Sequence, residues 1–86
     1  MGPVETEMLT YIRRRHSEGA LAVPASEVMG AVAAAHPEFR KKAAYQRGLE
    51  RLHRRHVINA VDDASGATHY FIGDYPSAEL RKSLGR

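Results

Sequence analysis

In the stretch FRKKAAYQRGLERLHRRHVI, residues 39–58, Arg40, Lys41, Lys42, Arg47, Arg51, Arg54 and Arg55 stand against a single acid, Glu50. These seven are more than half of the thirteen basic residues in an 86-residue chain whose formal net charge is only +3. Seven bases less one acid leave this segment with about +6, and such clustering points to a polyanion partner more strongly than net charge does. The competing interpretation is a solvated helix face. The same segment holds Tyr45, Leu49, Leu52, Val57 and Ile58, residue types that belong in a core.

Other chemistries are less well supported. His53 and His56 are three apart, a helical spacing at which imidazoles can share an ion, but Arg54 and Arg55 lie between them and would repel a cation. Asp62 and Asp63 lack the ligand alternation of a calcium loop and suit a solvated turn. The chain has no cysteine, which excludes disulfides, thiolate metal ligands and a cysteine nucleophile. It shows neither a phosphate-cradling glycine loop nor a recognisable nucleophile motif. The expectation is a non-enzyme without metal or cofactor.

Positioning the basic residues requires elements that bury the apolar ones. Residues 3–18, PVETEMLTYIRRRHSE, open with a proline and two acids and close with three arginines, the order that suits a helix dipole. Val4, Met8, Tyr11 and Ile12 give that helix its apolar stripe. Its RRRH end reads either as a favourable C-terminus or as an auxiliary phosphate contact. After Gly19, ALAV is too short for a helix and forms at most a brief extended segment. PASEVMGAVAAAH predicts a second helix with Glu27 in its first turn and Val28, Val32 and Ala35 on one face, ended by His36-Pro37. A third helix is predicted from about Lys41 to Arg55, because Tyr45, Leu49 and Leu52 recur at i, i+4, i+7. The face opposite them presents Ala43, Arg47, Glu50 and Arg54, so one helix packs inward and shows bases outward.

Beyond this helix the period changes to two. VINAV and THYFI are β-prone and flank the turn-forming DDASGA, which predicts a hairpin with Val57, Val61, Tyr70 and Ile72 on its inner side. GDYP breaks the second strand, and SAELRKSL suggests a short fourth helix with Leu80 and Leu84 one turn apart.

Three helices followed by a two-stranded hairpin resembles the winged helix-turn-helix superfamily of DNA-binding domains over roughly residues 4–72. The resemblance is strongest in YQRGLERLHRRHVINAVDDASGATHYFI: Tyr45, Leu49 and Leu52, then His56, Val57 and Ile58, a polar wing, and Tyr70 in the return strand. His56 stands where many members have glycine at the helix end. The implied fold is α+β: one winged-helix domain, 1–86, with a core of about 4–72 and a C-terminal extension of 73–86. The resemblance also implies that the helix of about 41–55 enters the major groove of double-stranded DNA, with the second helix bracing it. On that footing Arg40, Lys41 and Lys42 near the helix start are candidates for phosphates. Gln46 and Arg47 are candidates for reading bases, since arginine chelates guanine N7 and O6 and glutamine chelates adenine N6 and N7. Arg51 is a candidate for a flanking phosphate. The wing departs from the pattern, because DDASGA has no lysine or arginine and suits a structural hairpin better than a phosphate contact.

The resemblance implies a small sequence-specific transcriptional regulator of bacterial, phage or plasmid type, acting by occupancy. The alternative is a winged helix that docks on an acidic protein partner within a larger assembly. MGPVETEML lacks a positive start followed by an apolar run, and no stretch approaches bilayer length, so a soluble, cytoplasmic protein is expected. A homodimer is expected too. One recognition helix reads too few base pairs to select a site, while Met8, Leu9, Leu80 and Leu84 look like apolar residues to spare.

Overall fold

Pro3 opens α1 (Pro3–Ser17) at a position whose N–H has no intrahelical partner, and the Thr6 amide and hydroxyl both donate to the Gly2 carbonyl. In the computed structural model, residues 2–37, 42–73 and 78–85 are described, Lys42 by its backbone alone. Glu5, Met8, Leu9 and Ile12 are buried, the i, i+3, i+4, i+7 stripe of a helix packed on one side. The helix ends where Gly19 turns left-handed at φ 101°, its N–H bonding His16 O while the Ala20 N–H reaches Arg15 O. This is the paired bond pattern that closes a helix on a glycine.

The chain then forms β1 (Val23–Pro24), and α2 (Ala25–Ala35) starts directly from Pro24. Val28 and Val32 are buried, while Ala35, expected beside them, is exposed at the helix end. α3 (Lys42–Arg54) buries Tyr45, Leu49 and Leu52 as its spacing predicts, and Gly48 with them. A Cβ on Gly48 would lie 3.2 Å from Met8 Cε and 3.5 Å from Val4 Cγ1, so the absence of a side chain lets α1 and α3 approach closely. α3 ends as α1 does, with His56 in place of glycine: at φ 60° its N–H bonds His53 O, and the Val57 N–H bonds Leu52 O.

The sheet has three antiparallel strands where two were expected. β2 (Asn59–Asp62) and β3 (Thr68–Phe71) form the hairpin, and β1 adds to the other side of β3 in the order β1-β3-β2, with Val23 opposite Tyr70 and Pro24 opposite His69. Val23 is fully buried, which stabilises so short a strand, and proline without an N–H is tolerated at a sheet edge.

Both faces of the sheet are covered, which changes the assignment of its inner residues. Val57, Tyr70 and Ile72 pack partly buried against the main core of Met8, Ile12, Val28, Leu49, Leu52 and their neighbours, but the hairpin segment contributes Ile58 as its fully buried member. On the other face Phe71, Val61 and Ala22 meet Leu80 and Leu84 of the C-terminal segment, where α4 spans Ala78–Ser83. The Ala64 N–H donates to Leu84 O at 3.3 Å and ties the segment's end to the hairpin loop. Met8, Leu9, Leu80 and Leu84, the residues that argued for a second copy, are thus buried within one chain.

Candidate functional site

Steps of about 100° around α3 sort its side chains into three sectors. Tyr45, Gly48, Leu49 and Leu52 point inward. Ala43, Arg47 and Arg54 are exposed on the opposite side, and Glu50, exposed as well, borders the groove toward the sheet. The flanks lie between: Gln46 and His53 toward the sheet, Arg51 toward α1. Gln46 lines a groove with Met29 of α2 and Thr68 and Tyr70 of β3, and His53 meets the Tyr70 ring edge-on at 6.4 Å. Burial, with Glu50 and Asp62 adding to it, pushes the Tyr70 hydroxyl above its ordinary pKa.

The six residues proposed from sequence fare differently. Arg40 and Lys41 lie outside the described residues, and Lys42 begins α3. Gln46 and Arg47 are both exposed, and Arg47 forms no ion pair with a described residue. Arg51 does: its Nε donates to Glu5 Oε1 at 2.8 Å, linking α3 to the first turn of α1. Arg54 and Arg55 are also exposed and unpaired among the described residues, as is Arg13 on α1. They extend the uncompensated charge to the C-terminal end of α3.

The loop between β2 and β3 is different in kind. Asp63 accepts from the Ser65 amide and hydroxyl, from the Ala67 amide and from the His69 ring at 2.8 Å. The Ser65 hydroxyl, then His69, hold its carboxyl well below the usual carboxylate range. Asp62 accepts from the Thr68 hydroxyl. Both acids therefore build the loop.

Of the RRRH run, three residues are engaged within the fold. Arg15 bonds Glu27 at 2.9 Å and Glu18 at 3.2 Å, and the Tyr11 hydroxyl donates to the same Glu27 oxygen at 2.6 Å, which holds Glu27 below its ordinary pKa and raises Tyr11. His16 bridges two segments: Nδ1 faces Ala20 O at 2.8 Å, and Nε2 accepts the Ile72 N–H at 3.1 Å. The ring is thus the neutral tautomer with its proton on Nδ1. Arg14 lies over the Tyr11 ring, 5.1 Å from its centroid. The sequence identified these residue types but not their distant partners, Glu27 of α2 and Ile72 just after β3.

No group of three or more possible metal ligands occurs among the described residues, and none of their helices is long and apolar enough to cross a membrane. What the arrangement offers is a convex strip of guanidinium groups on a helix braced from behind by a packed core. No known protein family, curated protein or solved structure matches this chain.

Proposed function

We propose that the chain is a winged helix-turn-helix domain that binds double-stranded DNA sequence-specifically and regulates transcription by occupancy, with α3 in the major groove. The observation that carries this reading is Arg47: exposed at the middle of α3, directly opposite the buried Tyr45-Leu49-Leu52 stripe, and without an ion-pair partner among the described residues. A cation held out on a rigid helix, one residue from an exposed glutamine, has the reach and donor geometry for base edges in a groove wide enough to admit a helix. The element order α1-β1-α2-α3-β2-β3 supports it, since α2 packs behind α3 and the hairpin follows directly. Arg54 and Arg55 serve the adjoining phosphates, and the phosphate role expected from sequence for Arg40, Lys41 and Lys42 remains part of the proposal.

Site selection by one helix is too weak for a genome, so a second copy is part of the proposal. Its contact uses surface other than Leu80 and Leu84, which α4 buries against Phe71.

The test is selection from a randomised duplex pool, followed by binding of the enriched and a scrambled duplex across a salt series. An enriched motif bound at least about a hundredfold more tightly than the scrambled duplex, with an affinity that falls steeply with salt, is expected. Equal binding to both, or displacement of duplex by an acidic protein, would favour the docking alternative.

A further inference from the structure

Resting on α3 as the DNA-facing helix, we propose that Glu5 is a positioning residue for DNA binding: its buried carboxylate fixes Arg51 so that the guanidinium's two terminal nitrogens meet a backbone phosphate beside Arg47. Three observations converge on this pair.

The first is burial. The Glu5 side chain is 7% exposed and that of Arg51 is 48% exposed, so the acid belongs to the interior and the base to the surface. A buried carboxylate without a counter-ion is strongly disfavoured, and Arg51 supplies one across the α1–α3 contact. Gly48 brings the helices close enough, and Glu5 and Met8 on α1 face Arg51 and Gly48 on α3 as successive rungs of one crossing.

The second is the form of the contact. Arginine and carboxylate usually pair through two parallel bonds, satisfying both oxygens. Here the Arg51 Nε alone donates, to Oε1, while Oε2 is buried without a hydrogen-bond partner among the described residues. The pair leaves an acceptor unsatisfied and four of the five guanidinium N–H donors without a described protein acceptor.

The third is direction. Arg51 lies one turn beyond Arg47 and about 40° further around the axis, toward α1. It flanks the base-reading strip on the side where the backbone would run. A free arginine samples many rotamers, and one held by Nε presents its remaining donors already aligned.

This predicts a sign that simple electrostatics does not. Glu5→Gln removes a negative charge near DNA, and charge alone would tighten binding. Positioning predicts the reverse: several-fold weaker binding to the enriched duplex with an unchanged salt slope, measured well below the variant's melting temperature. Arg51→Gln should lose about tenfold and lower the slope by about 0.9, the value of one phosphate contact. The double variant should match Arg51→Gln alone, because Glu5 acts only through Arg51. Arg51→Lys, which keeps the charge but not the fork, should retain the slope and lose several-fold, and it decides the matter if Glu5→Gln does not fold. Unchanged or tighter binding by a folded Glu5→Gln, or Arg51→Lys binding as well as wild type, overturns the proposal. Failure of the wild-type protein to bind any duplex overturns the DNA-binding reading first and this proposal with it, and is seen before a variant is made.

Discussion

α3 and the β2–β3 hairpin are neighbours in the chain, and they treat charge in opposite ways. In the hairpin loop, Asp63 gathers two amides, a hydroxyl and an imidazole, and Asp62 takes the Thr68 hydroxyl. On α3 and just past its end, Arg47, Arg54 and Arg55 stand exposed with no described acid bound to them. Hydrogen bonds to a carboxylate order the loop and favour folding. Clustered cations without partners repel one another, and an external anion would relieve that repulsion. Charge in the hairpin is met within the structure, whereas Arg47, Arg54 and Arg55 stay uncompensated among the described residues.

The largest test of this contrast concerns what braces α3. Leu52 is fully buried between the strip and the core, and Leu52→Ala should cost about 2 to 5 kcal/mol in denaturant unfolding, a large share of what so small a domain has. An unchanged midpoint would mean that the helix faces are reversed. Next is Arg47→Ala, expected to weaken specific binding by about 1 to 3 kcal/mol while leaving the melting temperature alone. Equal losses on enriched and scrambled duplexes would reduce Arg47 to a phosphate contact.

A smaller effect separates the two regions at their junction. His56 adopts φ 60° at the end of α3, where a Cβ is disfavoured, and His56→Gly should stabilise the fold by about 0.5 to 1 kcal/mol once glycine's extra unfolded-state freedom is set against the relieved strain. Calorimetry checks this, and DNA affinity should stay within twofold. The smallest effect is acidic. Asp63 is held below its ordinary pKa, so the folded chain binds fewer protons there than the unfolded chain. Its contribution is therefore complete above about pH 4 and is lost as pH falls below that, through the depressed range. Thermal melts from pH 6 to pH 2 should fall less steeply for Asp63→Asn, and a slope identical to wild type would remove the loop's carboxylate from the account.

The sequence was most legible where one periodicity controlled packing. α3 runs from Lys42 to Arg54 against an expected 41–55, and the exposed set Ala43, Arg47, Glu50 and Arg54 is as its spacing predicts. Legibility failed where a residue's partner lies far along the chain. Glu5 reads in sequence as an acid suited to a helix N-terminus, and only the close α1–α3 crossing turns it into the buried partner of Arg51, 46 residues away. Phe71 is not legible because a hairpin with one buried face leaves it outward, whereas the C-terminal segment covers that face. β1 is two residues long, too short for any alternating pattern, and its pairing is set by β3.

The most direct measurement is an amide NMR titration of the labelled protein with its enriched duplex, because it reads α3 and the hairpin in one experiment. The account predicts the largest shifts at Gln46, Arg47, Arg51 and Arg54, with Ser65, Gly66 and Ala67 nearly unmoved. Shifts centred on the hairpin loop, or none on α3 at saturating duplex, would contradict it.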